Sequence, residues 1–138
     1  MATVKPRQTG ATAVIAPAGQ AVVTSATGGE ITLNRAATDP AFSPLDLLYA
    51  AIAGCLVVGI RDAARRTGVT DRLRSARVVV NGDKAPDGPQ RVTRLRIKFE
   101  IDGDFDAATR AALIAEAEET CTVSNTIRTT PEFVTVER

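Results

Sequence analysis

The sequence predicts an α+β fold, in which an antiparallel sheet carries two helices on one face in the order βββ-α-ββ-α-β. Three observations carry this expectation. The first third of the chain is rich in small and β-branched residues and is broken by turn residues. The run Leu47 to Ile60 has the composition of a buried helix. Residues Arg91 to Ile101 alternate between apolar and charged.

Taken in order, TAVIAPAGQAVVTSATGGEITLN reads as strands near 11–16, 20–25 and 30–34, punctuated at Pro17-Ala18-Gly19 and at Gly28-Gly29. These strands are only moderately apolar, so they need a partner layer. Ser43-Pro44-Leu45-Asp46 is a helix start: Ser43 can cap, Pro44 suits the first turn, and the Asp46 carboxylate can reach back to the cap amide. The helix runs to about Thr67, with Gly68 as its stop and Arg65 and Arg66 near its negative end. Its middle is apolar on every side. One small domain can hardly cover such a helix, so a second subunit is the expected cover. Residues 76–82 form a strand and Asp83 to Pro89 a turn-rich segment. In the next strand Leu95, Ile97, Phe99 and Ile101 point one way, while Arg94, Arg96, Lys98 and Glu100 point the other. Asp106 starts a second helix of good helix formers, and Glu132 to Val136 is a short final strand.

Size and composition narrow the function. A chain of 138 residues is expected to be a single domain, residues 1–138. Its net charge of +1 gives no reason to expect nucleic acid or an anionic membrane as a partner. The basic group from Arg61 to Arg77 reads as a solvated helix end and loop. Residues 1–20 show no charged start followed by an apolar stretch, and the Leu47–Ile60 run alone is too short to span a bilayer; the expected location is the cytoplasm. There is no histidine, which excludes Ser-His-Asp and Cys-His hydrolases as well as His-based zinc sites. Two cysteines cannot build a four-cysteine metal site, so neither metal nor cofactor is expected. One tyrosine and no tryptophan leave no stacking surface for single strands, and the Gly-rich phosphate-loop patterns are missing.

The two cysteines are the chemically distinctive residues. Cys55 lies in the middle of the apolar helix. Cys121 ends the second helix, seven residues after Ile114 and four after Ala117, on its apolar stripe. Both sulfurs therefore point inward. Periodicity by itself fits two packed core cysteines better than a redox pair.

The flanking residues shift that balance. Ser43-Pro44-Leu45-Asp46-Leu47-Leu48, then Ala50-Ala51, then Ala53-Gly54-Cys55, resembles the signature around the first cysteine of the OsmC/Ohr family. Ala117-Glu118-Glu119-Thr120-Cys121-Thr122-Val123-Ser124-Asn125-Thr126 resembles the segment around its second cysteine, with Thr122 where the family usually has proline. Element order and length agree over nearly the whole chain. The resemblance implies an intertwined homodimer with two sites at the interface. It implies a thiol peroxidase that reduces organic hydroperoxides, and in some members hydrogen peroxide, as part of an oxidative stress response. By that resemblance Cys55 is the attacking thiolate, Cys121 is the resolving thiol, and a dithiol or lipoylated protein is the reductant.

The chain departs from the organic-hydroperoxide branch at two points. Leu45 stands where that branch has a glutamate directly after the proline, and Asp46, one helical step of about 100° away, reads as a cap instead. No arginine lies within residues 11–34 to hold the thiolate. Arg7 does not align, and Arg128, after the second motif, reads as an exposed structural residue. The resemblance is accordingly to the broader OsmC-like group. The alternatives to a peroxidase are a non-peroxidase redox sensor, a protein that binds an apolar ligand beside a buried cysteine pair, and a purely structural dimeric module.

Overall fold

The computed structural model describes residues 7–137. It is α+β, with antiparallel sheets and helices, and the chain divides after Leu48 into two compact units.

The first unit holds a three-stranded antiparallel meander: β1 (Ala11–Val14), β2 (Val22–Ser25) and β3 (Glu30–Thr32). Val14 pairs with Val22 and Ala11 with Ser25, and Val22 then pairs with Thr32 across β3. Gly28, at φ 98°, closes the β2–β3 turn in a conformation that favours glycine. The Ser25 hydroxyl accepts from the Gly29 amide at 2.8 Å. All three strands fall within the segments expected from sequence. β1 and β3 are exposed along their whole length within the chain, as their weak hydrophobicity foreshadowed.

The long helix α1 (Pro44–Arg66) starts on the capping box written in its sequence. The Ser43 amide donates to the Asp46 carboxylate at 2.9 Å, and the Asp46 amide donates to the Ser43 hydroxyl at 3.1 Å. These bonds hold the Asp46 carboxyl below its ordinary value, the backbone amide being the larger cause. Gly68 at φ 73° ends the helix, and the Gly68 amide returns to the Arg65 carbonyl.

The second unit is a hairpin with helices on one face. β4 (Leu73–Lys84) and β5 (Val92–Gly103) pair antiparallel, with Val78 opposite Phe99 and Val80 opposite Ile97. Both run longer than the sequence suggested, because the ladder continues past the apolar residues into charged ones. Leu95, Ile97, Phe99 and Ile101 all pack inward against helix residues. The outer face carries cross-strand ion pairs, Arg77–Glu100 at 2.7 Å, Arg74–Asp102 at 2.8 Å and Arg96–Asp83 at 2.6 Å. These are exposed and contribute little stability. Asp106 caps α2 (Ala107–Thr120) by accepting from the Thr109 amide at 2.7 Å. Ile60, Ala63 and Ala64 of α1 meet Leu113 and Ala117 of α2 in one buried cluster. The helices cross at a glycine: a Cβ on Gly59 would lie 3.2 Å from both the Cα and the Cβ of Ala117.

Three expectations need correction. The single sheet is two separate sheets, β1-β2-β3 and β4-β5. The expected last strand, Glu132 to Val136, does not form; Phe133, Val134 and Val136 are exposed and pair with no strand among the described residues. A strand is stable only with a neighbour, and local β propensity supplies none. Within the chain α1 is buried on one face rather than all round, leaving Leu48 and Val58 substantially exposed. At 23 residues α1 is also long and apolar enough to span a bilayer by length and composition, although Ile52, Leu56 and Ile60 are fully committed to the core.

Candidate active site

Cys121 ends one helix and begins another. Its extended backbone (φ −71°, ψ 104°) breaks α2 and caps α3 (Thr122–Arg128). The Cys121 amide returns to the Glu118 carbonyl at 3.4 Å, closing α2. Its sulfur accepts from the Ser124 amide at 3.3 Å, the place an N-cap oxygen would occupy. The Asn125 side-chain amide donates to the Glu119 carbonyl at 3.0 Å and fixes the junction.

Cys55 comes to the same place from α1. Ile52, Leu56 and Cys121 form a second buried cluster, and Cys55 packs against it with Val78, Val80, Leu95, Ile97 and Val123. The structure thus brings both sequence-predicted cysteines together. Cys121 is 2 % exposed, whereas Cys55 is only half-buried. Both are free thiols.

Their environments pull the two thiols apart. Burial pushes Cys55 up, the Val123 and Thr122 amides oppose that, and the Cys121 sulfur beside it pushes it further up. Burial would push Cys121 up as well, but it is outweighed by the Ser124 side chain and amide, the Cys55 thiol and the Val123 amide, and Cys121 lies below the ordinary cysteine value. Sequence reasoning missed these donors. Cys55, in mid-helix, has no free amide of its own, yet the Val123 and Thr122 amides of α3 counter part of the push that burial gives it.

Next to the pair is a pocket of about 190 Å³, lined by Ile52, Leu95, Ile97, Ser124, Ile127 and Arg128. Arg128, expected as a surface residue without a role, is exposed but forms part of this wall. Asp46 is taken up in the helix cap, and the carboxylate expected one position earlier in the organic-hydroperoxide branch is Leu45. Among the described residues, no group of three His, Cys, Asp or Glu side chains could hold a metal ion.

Comparison with known proteins settles the kinship. A family model described as OsmC-like protein matches residues 37–136, a span that includes both cysteine motifs. The chain belongs to the OsmC-like protein family. Solved structures agree on the fold. An OsmC-like protein from Mycoplasma pneumoniae superposes with a TM-score of 0.79 at 18% identity, covering 91% of each chain. An organic hydroperoxide resistance protein OsmC from Legionella pneumophila gives 0.66 at 23% identity, over 88% of this chain and 90% of that one. The organic hydroperoxide resistance protein OhrB of Bacillus subtilis gives 0.64 at 17% identity, over 90% and 93%. No curated protein sequence matches this OsmC-like chain.

Proposed function

We propose that this OsmC-like protein is a cytoplasmic, thiol-dependent peroxidase that reduces organic hydroperoxides through Cys55 and Cys121. The observation that carries the reading is the paired thiols, one buried and held below the ordinary cysteine value, the other half-buried and held above it. Access decides the roles. A peroxide can reach half-buried Cys55 but not Cys121, which makes Cys55 the attacking sulfur and Cys121 the resolving one.

The chemistry balances as follows. Cys55 releases its proton to solvent as its sulfur attacks the terminal oxygen of the hydroperoxide. The O–O bond breaks, Cys55 becomes a sulfenic acid, and the alkoxide leaves as the alcohol with a proton from solvent. The Cys121 sulfur then displaces the sulfenic hydroxyl, which departs as water with the Cys121 proton, and a Cys55–Cys121 disulfide forms. The two sulfurs lose two electrons and the O–O bond gains them. An external dithiol or lipoylated protein reopens the disulfide by exchange. The names of the Legionella and Bacillus relatives support the substrate class. A homodimer fits the exposed apolar residues Leu48 and Val58 of α1.

The test uses two variants and one equivalent of an alkyl hydroperoxide. Cys121→Ser should still consume it and trap as a Cys55 sulfenic acid, while Cys55→Ser should consume none. Activity kept by Cys55→Ser and lost by Cys121→Ser would reverse the roles. A wild-type protein that consumes no hydroperoxide would end the reading and leave the apolar-ligand alternative, which the neighbouring pocket favours.

A further inference from the structure

We propose that Arg128 and the apolar pocket beside the thiol pair make this protein selective for hydroperoxides that carry an anionic group on a compact apolar body. The inference rests on the peroxidase reading for its reaction, but not for its binding site. The pocket is built by three elements: Ile52 from α1, Leu95 and Ile97 from β5, and Ser124, Ile127 and Arg128 from α3. Four of its six walls are branched aliphatic side chains, which favour an alkyl or aryl body. Its single formal charge is the Arg128 guanidinium, and no wall residue is acidic. Six arginines, at positions 61, 65, 66, 74, 77 and 96, face carboxylates, whereas Arg128, like Arg35, Arg72, Arg91, Arg94 and Arg110, is in no ion pair among the described residues and so is open to an outside anion. A planar guanidinium at the rim of an apolar pocket recognises a carboxylate through two parallel hydrogen bonds. A cation would be repelled, and a neutral apolar molecule would leave the guanidinium without a partner.

The pocket also adjoins the chemistry. Ser124 gives its amide to the Cys121 sulfur at 3.3 Å, and Ile52 shares a buried cluster with Cys121. At about 190 Å³ it is smaller than the roughly 300–1,000 Å³ of drug-sized sites, which restricts it to a compact body rather than a long acyl chain.

The experiment compares cumene hydroperoxide with its para-carboxy analogue, and separately titrates the reduced protein with 4-isopropylbenzoate, which has no O–O bond, and with isopropylbenzene, both followed by NMR. Wild type should prefer the carboxylate in kcat/KM and bind 4-isopropylbenzoate more tightly than isopropylbenzene, with a preference that weakens as salt rises. Arg128→Gln should lower the carboxylate-to-neutral ratio by about tenfold, mostly through KM, and weaken 4-isopropylbenzoate by a similar factor. Arg128→Lys should restore part of both. Equal ratios and equal binding in wild type and Arg128→Gln, or a wild-type preference that ignores salt, would overturn the proposal. If no hydroperoxide is consumed yet 4-isopropylbenzoate binding still depends on Arg128, the site stands and the peroxidase reading falls.

Discussion

Leu56→Ala is the sharpest probe of the packing that brings the thiols together. Leu56 is fully buried, one position after Cys55 on α1, and it packs in the same cluster as Cys121 and Ile52. Truncation removes three carbons, worth about 0.8 kcal/mol each in transfer energy, and the cavity left behind brings the loss to about 3–4 kcal/mol. For 138 residues at about 2.1 cal/mol/K each, the unfolding entropy is about 0.29 kcal/mol/K, so Tm should fall by about 10–14 °C. The chemical consequence is as specific. Cys121 is shielded by this cluster, so its alkylation by a small neutral reagent should accelerate relative to Cys55 at the same pH. Calorimetry reads the first effect, and mass spectrometry of partially alkylated protein reads the second. A Tm change of less than about 3 °C, or an unchanged order of alkylation, would refute the place of Leu56 in the cluster that shields Cys121.

Two further outcomes follow from the structure. The Asp46 carboxyl lies below its ordinary value of 3.8 in the folded chain, so its cap is fully stabilising above that value and is lost as pH falls through the lower folded one. The Tm gap between wild type and Asp46→Ala should therefore be constant near neutral pH and close below about pH 4; a gap that persists in strong acid would mean the cap bonds do not form. Light scattering at micromolar concentration should give about twice the chain mass, and Val58→Asp on the exposed side of α1 should reduce it to the single chain; a wild-type monomer would remove the dimer.

What could be read in advance divides along local and non-local lines. Ser43-Pro44-Leu45-Asp46 and Asp106 specify their helix starts with side chains three residues away or nearer, and both appear as read. The alternation from Leu95 to Ile101 needs only a period of two, and it places all four apolar residues inward. The last strand failed for the opposite reason: Phe133, Val134 and Val136 have the composition of a strand but no described neighbour to pair with. The break at Cys121 carried a weak local signal, since cysteine is an uncommon cap and Thr122 stands where a proline would have marked the first turn of a new helix. Arg128 was visible but had no partner in sequence. Its place beside Ile52 and Ile97 depends on α1, β5 and α3 meeting, which no spacing within one element records.

The unequal thiols trace to that same break. Had α2 continued unbroken past Cys121, the amides of Thr122, Val123 and Ser124 would be spent on carbonyls four residues back, and neither sulfur would have a donor. Ending α2 at Cys121 frees the first-turn amides of α3 at the point where Cys55 arrives from α1. Burial then sorts the two sulfurs. The deeper one takes the Ser124 amide and lies below the ordinary cysteine value, and the shallower one lies above it and keeps the route to solvent. Backbone donors of this kind need no arginine from the N-terminal strands, where this chain has none between residues 11 and 34. They lower a thiol's pKa through fixed dipoles rather than a mobile cation. A helix broken at the cysteine itself therefore makes two neighbouring thiols unequal with neither a glutamate at position 45 nor an arginine between residues 11 and 34.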